Sequence, residues 1–303
     1  MSTWTARDIP DLSGLTAVVT GANTGLGKET ARELARRGAL VELAVRDEAK
    51  GRAAAEEVRA DVPGADLHVQ RLDVASLASV RAAAEELRGR HERIDLLVNN
   101  AGVMYTPRST TEDGFELQLG TNHLGHVALT ALLLDRLLAA PAARVVAVSS
   151  VAHKIRSRID FDDLAFEQDY DRVAAYGRSK LANLLFAYRL DALLRAAGAP
   201  AVALAAHPGV SDTELTRHSP GPLRLGARLG GRFLNSAAVG ALATLRAATD
   251  PDARGGELYG PRGPGEAVGH PVRVLSTEAS HDGATQRRLW DVSCELTGVS
   301  FDL

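Results

Sequence analysis

Short apolar runs alternate with longer helical segments along the first two-thirds of the chain, and this alternation restricts the fold more than any other feature. The predicted strands are Leu15–Thr20, Leu40–Val45, Leu67–Leu72, Ile94–Val98, Arg144–Ser149 and Ala201–Ala206, with a short later one at Glu257–Tyr259. Strands that alternate with helices pair in parallel, and right-handed crossovers place the helices on both faces of one sheet. We therefore predict an α/β chain with a single doubly wound parallel β-sheet, the Rossmann fold.

The segments between these strands have the apolar spacing of helices. The predicted helices are Leu26–Arg37, Glu48–Ala60, Ser76–Arg90, Phe115–Ala139, Ala174–Ala197, Ala237–Ala248 and Ala284–Leu296. We find no internal repeat, low-complexity tract or clear linker. The sequence therefore predicts one domain over residues 1–303, with a cofactor-binding part at about 12–150 and a catalytic and substrate-pocket part at about 150–303.

Two long segments, Ala152–Arg172 and His207–Asn235, interrupt the alternation. Both follow strands, so they leave the carboxyl edge of the sheet, where open α/β sheets bind ligands. Loops of this length are usually functional, and we predict that they form the walls of a substrate pocket. Surface insertions without a role are the alternative. The second segment carries five large apolar residues, Leu215, Leu223, Leu225, Leu229 and Phe233. They favour an apolar substrate, although they also suit a core or a subunit contact.

Composition excludes several classes of protein. The 303 residues carry a net charge of -3, which does not suggest a nucleic-acid or membrane-surface partner. The single cysteine, Cys294, rules out an intramolecular disulfide and fits a reducing interior. The start of the chain lacks the apolar stretch of a signal peptide, and no window approaches the ~20 apolar residues of a membrane span. We expect a cytoplasmic protein.

A glycine-rich loop joins the first strand to the first helix. Free N–H groups and the dipole of the helix N-terminus make such a loop a binding site for a pyrophosphate. Gly21 would allow the tight turn, Gly25 the approach of the phosphates, and Gly27 the close packing of helix and sheet. The residues predicted to contact a dinucleotide here are Gly21, Asn23, Thr24, Gly25, Leu26 and Gly27.

The end of the second strand bears on the choice of cofactor. An acid at this position typically holds the ribose 2′-hydroxyl of NAD, whereas a guanidinium suits the 2′-phosphate of NADP. The sequence reads Arg46-Asp47, and a shift of one residue would exchange their roles. We predict NADP(H), bound by Arg46. Further strand ends supply contacts at Asp73, Val74, Asn100 and Gly102.

Tyr176 and Lys180 lie four residues apart on a predicted helix and therefore share one face. Reduction of a ketone requires a hydride and a proton, and a phenol with a pKa of ~10 is a poor proton source near neutrality. A nearby ammonium would lower that pKa, so we predict Tyr176 as the general acid/base. A strand-end serine should hold the substrate oxygen. We assign Ser150 to this role, with Ser149 as the alternative.

Asn122 falls inside the long predicted helix Phe115–Ala139. Its amide could kink that helix and hold a water that relays protons to Lys180. His123 and His126 are three residues apart, but no cysteine or carboxylate stands at ligand spacing, so we predict no metal site.

In chain order, these motifs together resemble the short-chain dehydrogenase/reductase family. The matching residues are Thr20–Gly27, Asp73, Asn99–Gly102, Asn122, Ser150, Tyr176 with Lys180, and Pro208-Gly209. The resemblance implies a catalytic tetrad of Asn122, Ser150, Tyr176 and Lys180. It also implies that Pro208–Thr213 covers the nicotinamide, with Thr213 near its amide or the phosphates. Members of the family are often dimers or tetramers, which leaves a homo-oligomer open.

Finer details are similar to the retinol dehydrogenase-like branch of that family. They include Arg46-Asp47, the run Ser149–His153, the run Ser179–Asn183, His207–Gly209 and the C-terminal stretch Trp290–Gly298, the last of which is typical of bacterial members. Membrane-bound retinol dehydrogenases carry an N-terminal anchor, and we see none in this sequence. We therefore expect an NADP(H)-dependent enzyme that interconverts a carbonyl and an alcohol on an apolar small molecule. A non-catalytic NADP(H)-binding sensor or scaffold is the alternative, because fold alone does not imply activity.

Overall fold

The computed structural model describes residues 3–210 and 235–303 of the chain. Its centre is an eight-stranded sheet in the order β3-β2-β1-β4-β5-β6-β7-β8. The strands are β1 (Thr16–Thr20), β2 (Leu40–Val45), β3 (Leu67–Arg71), β4 (Leu96–Asn99), β5 (Arg144–Val148), β6 (Val202–Ala206), β7 (Leu258–Pro261) and β8 (Pro271–Val274). Strands β1 to β7 pair in parallel, and β8 pairs antiparallel with β7. The predicted doubly wound sheet is confirmed.

Helices cover both faces of this sheet, and we number the described ones in chain order. They are α1 (Gly25–Arg36), α2 (Glu48–Asp61), α3 (Leu77–Arg90), α4 (Leu117–Leu119), α5 (Gly125–Leu132), α6 (Leu134–Leu138), α7 (Arg172–Ala196), α8 (Ala237–Thr249) and α9 (Gly283–Thr297). One face buries Leu34 of α1 and Leu245 of α8. The other buries Leu87 of α3, Leu129 of α5 and Leu190 of α7. Burial of a large aliphatic side chain stabilises the fold by about 1.5–3 kcal/mol.

The predicted helix Phe115–Ala139 is not continuous. A turn of π-helix at Gly120–Leu124 separates α4 from α5, and Leu133 interrupts the path into α6. Asn122 lies in the middle of this π-turn, and its side chain bonds both the N–H and the C=O of Val103 in the loop after β4. The extra residue of a π-turn is often found at functional sites. The expected kink at Asn122 is therefore confirmed.

Strand β8 is absent from the sequence-based prediction. It is only four residues long, begins with Pro271 and follows a glycine-rich stretch. Proline is tolerated at the first residue of an edge strand, where its missing N–H costs little. The sequence of β8 has no strand pattern of its own, and only its hydrogen bonds to β7 identify it as a strand.

In the described ranges, 3–210 and 235–303, no helix is long and apolar enough to cross a membrane. The same ranges contain no cluster of His, Cys, Asp or Glu side chains suited to a metal ion. Most of the predicted wall His207–Asn235 lies outside the described residues. This includes Thr213 and the apolar residues Leu215, Leu223, Leu225, Leu229 and Phe233.

Candidate active site

A cleft of about 450 Å³ opens at the carboxyl ends of the strands, next to the reversal of strand order between β1 and β4. Its volume falls in the range of small-molecule and cofactor sites. Most of the predicted site residues line it: Gly21, Asn23, Thr24, Gly25, Leu26, Gly27, Arg46, Asp73, Val74, Asn100, Gly102, Tyr176, Lys180 and Pro208. Asn122, Ser150 and Gly209 are near neighbours of these lining residues, whereas Thr213 is not described.

The glycine loop is shaped by contacts that a side chain would prevent. Gly21 has a φ of 68°, and a Cβ there would lie 3.0 Å from the Cα of Ala101. A Cβ on Gly27 would lie 2.6 Å from the Asn100 amide nitrogen and still closer to the carbonyl oxygen of Gly21. The Asn100 amide in turn donates to the carbonyl of Thr20 at 2.7 Å. The backbone at the start of α1 can therefore approach an anion, which fits the pyrophosphate of a dinucleotide.

The structure distinguishes Arg46 from Asp47 at the end of β2. Arg46 lines the cleft and is exposed to solvent. Asp47 is the N-cap of α2, where its carboxylate accepts the Lys50 N–H at 3.1 Å and lies 3.8 Å from the Lys50 ammonium. The acid is therefore engaged in capping a helix, and Arg46 is the one of the two residues that lines the cleft.

Beneath the glycine loop lies a buried histidine that the sequence analysis considered only as a metal ligand. His126 Nδ1 lies 3.1 Å from the backbone carbonyl of Asn122, and its Nε2 lies 2.9 Å from the Thr20 hydroxyl. Burial lowers the pKa of His126 to about 4, so the ring is neutral near pH 7. A carbonyl only accepts, so Nδ1 carries the proton and Nε2 accepts from Thr20. The ring thus joins the π-turn to the cofactor loop.

Tyr176 and Lys180 lie on α7 with only 6% and 5% of their surfaces exposed. The Lys180 ammonium donates to the carbonyl of Val148 at 3.0 Å and lies 5.8 Å from the centre of the Tyr176 ring. Burial lowers the pKa of Lys180 to about 8. Burial also raises the pKa of Tyr176, against a hydrogen bond with Ser150 that lowers it. The net lowering of this pKa that the sequence led us to expect is therefore not found, since burial is the largest influence on the phenol and raises its pKa.

The two candidate serines after β5 have different partners. Ser149 is buried and donates to the backbone carbonyl of Lys180 at 2.8 Å, which ties β5 to α7. Ser150 begins a turn of 3-10 helix at Val151–Lys154 and hydrogen-bonds Tyr176. Of the two serines, Ser150 is therefore the one whose hydroxyl interacts with Tyr176.

Asn122 is completely buried, and its amide is used by neighbouring groups. Its oxygen accepts from the Val103 N–H at 2.8 Å, and its nitrogen donates to the Val103 carbonyl at 3.0 Å and the Ser179 hydroxyl at 2.9 Å. Both hydrogens of the amide nitrogen are thereby satisfied. The side chain thus joins the loop after β4 to α7, and a relay water at Asn122 stays a prediction.

Behind the Pro208-Gly209 turn stands Glu266, which sequence reasoning missed. Its carboxylate bonds His207 at 2.9 Å and Lys154 at 2.7 Å, and these contacts hold the pKa of Glu266 at about 2. It connects the segments that follow β5 and β6. No local pattern could reveal it, because its partners are more than fifty residues away along the chain.

A family model described as short chain dehydrogenase matches residues 15–220. Retinol dehydrogenase 12 from Homo sapiens is 46% identical over 291 residues, which span 96% of this chain and 89% of that protein. Polyprenol dehydrogenase from Mus musculus is 42% identical over 296 residues, spanning 96% of this chain and 86% of that protein. A crystal structure of an uncharacterized protein from Mycobacterium Paratuberculosis matches with a TM-score of 0.83 and 43% identity, and the match covers 100% of both chains.

Proposed function

The chain belongs to the short-chain dehydrogenase family, on its retinol dehydrogenase-like branch, and we propose that it interconverts a carbonyl and an alcohol on an apolar small molecule with NADP(H). One observation carries the proposal. Tyr176 and Lys180 line the same cleft as a glycine loop suited to a pyrophosphate, and Ser150 interacts with Tyr176. A proton donor therefore stands where a bound nicotinamide would present its reactive carbon.

In the reducing direction, the hydroxyls of Ser150 and Tyr176 donate hydrogen bonds to the substrate oxygen. A bound nicotinamide cofactor supplies the hydride, or accepts it in the oxidising direction. Tyr176 gives its proton to the oxygen, and the Lys180 ammonium stabilises the phenolate that remains. In the oxidising direction, the same phenolate accepts the proton of the alcohol. Asn122 holds the Gly102–Val103 backbone in place against α7, so it is a positioning residue that does not take part in the proton transfer.

The choice of NADP(H) rests on Arg46, which faces the cleft while Asp47 caps α2. A guanidinium binds a 2′-phosphate through charge-assisted hydrogen bonds. Gly21–Gly27 would hold the pyrophosphate, and Asp73 with Val74 the adenine. Asn100, Gly102, Lys180 and the Pro208-Gly209 turn would surround the nicotinamide end, together with Thr213 from the part of the chain that is not described.

An apolar substrate is supported by the inner lining of the cleft and its rim. Val103, Met104 and Leu117 line the cleft near Tyr176. Ile155 and Val210, which follow β5 and β6, expose 47% and 43% of their surfaces. Exposed apolar side chains beside a functional cleft favour contact with an apolar ligand.

The substitution Tyr176→Phe tests the proposal. It removes the proton donor and keeps the ring, so kcat should fall by at least about 100-fold, because general acid–base catalysis contributes ~10²–10⁴. The dissociation constant for NADPH should stay within about twofold, measured by quenching of protein fluorescence. Tyr188→Phe is the matched control: Tyr188 also lies on α7, and its hydroxyl bonds Ser276 at 2.9 Å, away from the cleft. Undiminished turnover by Tyr176→Phe would refute the role of Tyr176.

The same assay addresses the alternative, a protein that binds NADP(H) without turnover. A panel of ketones, aldehydes and alcohols is followed at the absorbance of the reduced nicotinamide. Firm NADPH binding without turnover of any compound would favour a sensor or scaffold over the proposed enzyme.

A further inference from the structure

The backbone of Tyr105 is unusual. Its φ is 55°, in the left-handed region that bulky residues seldom adopt and that persists only where the surroundings hold it. Its neighbours Met104 and Thr106 both line the cleft. The Tyr105 ring lies against Tyr176, with 5.2 Å between the ring centres and an angle of 73° between the planes. The turn therefore presents an aromatic ring directly beside the proton donor.

A buried network fixes this turn from two sides. The amide oxygen of Gln118, a completely buried residue of α4, accepts the Tyr105 N–H at 2.8 Å. The Gln118 nitrogen donates to the Tyr170 hydroxyl at 2.9 Å and to the Arg172 carbonyl at 3.1 Å. The Tyr170 hydroxyl lies 3.1 Å from the Thr106 carbonyl, to which it donates. The residues on both sides of the strained position are thus tied to the start of α7.

The catalytic chemistry proposed above does not use the Tyr105 ring. That ring is half-buried, and it packs edge-to-face against the Tyr176 ring, between two residues that line the cleft. An aromatic side chain binds a flat, unsaturated group more tightly than a saturated group of similar area. Stacked and edge-to-face ring pairs gain binding free energy beyond that of the area they bury.

We propose that Tyr105 is a specificity-determining residue, which packs its ring against the group attached to the substrate carbonyl and favours a flat group over a saturated ring. This inference rests on the proposed function. The preference for a flat substrate group should then depend on Tyr105 and on the Gln118 hydrogen bonds that hold Tyr105 in place.

The test compares acetophenone with cyclohexyl methyl ketone, two substrates of similar size whose ring is flat in one and saturated in the other. Tyr105→Asn removes the aromatic ring, and asparagine tolerates the left-handed backbone better than most residues other than glycine. It should lower the ratio of kcat/KM for the two ketones by about five- to tenfold, in keeping with the strength of ring pairs. Tyr105→Phe keeps the ring and should keep the ratio within about twofold. NADPH affinity should stay unchanged in both variants.

Gln118→Leu tests the supporting network. It leaves the Tyr105 N–H without its acceptor and should shift the substrate ratio in the same direction. Because Gln118 acts through Tyr105, Gln118→Leu should change the ratio little in the Tyr105→Asn background. Thermal melting and NADPH binding establish that each variant is folded.

The outcomes separate this inference from the proposed function. An unchanged ratio in an active, folded Tyr105→Asn enzyme would overturn the role of Tyr105 and leave the carbonyl–alcohol chemistry standing. Equal loss in Tyr105→Phe would also overturn it, since the hydroxyl would then carry the effect. Absence of turnover by the wild-type enzyme across the whole ketone and alcohol panel would overturn the proposed function and this inference together.

Discussion

The two walls of the cleft are built differently. The cofactor wall, formed by Thr20–Gly27 and residues 99–102, has positive φ angles only at Gly21 and Gly25. The substrate wall, formed by residues 103–106 and 151–171, has them at Tyr105, Arg156, Phe166 and Asp169. Glycine adopts such angles without steric cost, whereas other residues need support from elsewhere. The positive-φ turns of the cofactor wall are therefore encoded locally, by glycine, whereas those of the substrate wall depend on contacts with other segments.

The strongest way to break the cofactor wall is Gly27→Ala. The new methyl group would meet the Gly21 carbonyl in the same loop and the Asn100 amide, which follows β4. Crowding of this kind costs about 1–3 kcal/mol, and relief requires the loop to move. We expect NADPH affinity to fall by up to about 100-fold, measured by titration calorimetry, with a lower melting temperature.

Gly89→Ala is the control for that substitution. Gly89 lies in the last turn of α3, where an added Cβ meets nothing within 4 Å. Alanine is favoured over glycine in helices by about 0.5–1 kcal/mol, so this variant should melt slightly higher and bind NADPH normally. Normal NADPH affinity in Gly27→Ala would contradict a locally encoded cofactor wall.

Arg46→Leu should reveal a smaller effect at the open end of the same wall. Hydrogen bonds to charged groups contribute about 1.5–3 kcal/mol. The kcat/KM for NADPH should therefore fall by about 10- to 100-fold, while that for NADH changes by less than about threefold. Steady-state kinetics with both cofactors check this. Lys50→Leu, at the exposed partner of Asp47, is the control and should leave the ratio unchanged. A clear NADH preference in the wild type would remove Arg46 from the 2′-phosphate site.

The contrast between the walls also explains what the sequence could predict. The sheet, the glycine loop and the Tyr176–Lys180 pair follow from local patterns: strand–helix alternation, glycines at a turn, and helical spacing. Thr20, Asn100 and Gly27 lie close together because parallel strands end at one edge. The order of Arg46 and Asp47 was uncertain by one residue, and the structure places Asp47 at the N-cap of α2 and Arg46 in the cleft.

The contacts that sequence reasoning missed all join distant segments. His126 was assessed only as a metal ligand, yet it bridges Asn122 and Thr20. Gln118 and Glu266 belong to no recognisable sequence motif, and the residues next to them in the sequence do not indicate their hydrogen-bond partners. The phenol pKa was expected to fall, because the sequence shows the lysine but does not show how deeply Tyr176 is buried.

Arg178→Lys should weaken the substrate wall without affecting the cofactor wall. The Arg178 guanidinium donates to the backbone carbonyls of Arg158 and Leu164 at 3.1 and 3.3 Å, and it lies 3.6 Å from the centre of the Phe166 ring. A lysine ammonium does not reproduce this planar set of contacts. We expect the substrate KM to rise by about tenfold, in line with the loss of one to two charged hydrogen bonds.

Two measurements sharpen that prediction. NADPH affinity of Arg178→Lys should stay within about twofold of wild type. Arg195→Lys, on the same helix but largely exposed in an ion pair with Asp191, should leave both constants unchanged. Equal losses of cofactor and substrate affinity in Arg178→Lys would mean that the two walls are not independent.

Acid stability should depend on buried histidines, which lie beneath both walls. Burial lowers the pKa of His126, below the cofactor loop, and of His153, in the substrate wall, to about 4 each. Each ring is neutral when folded and protonates near pH 6.5 when unfolded. Between about pH 6.5 and 4 the unfolded chain therefore binds more protons, so stability falls as the pH is lowered, by up to about 1.4 kcal/mol per pH unit and histidine.

Melting temperatures recorded from pH 7 to pH 4.5 measure this slope. His126→Gln and His153→Gln should each make it shallower, since glutamine does not titrate, and the two reductions should add because the residues bond different partners. His126→Gln should also weaken NADPH binding near neutral pH through Thr20, whereas His153→Gln should act on the substrate KM. A slope unaffected by either substitution would show that neither ring is held neutral in the folded protein.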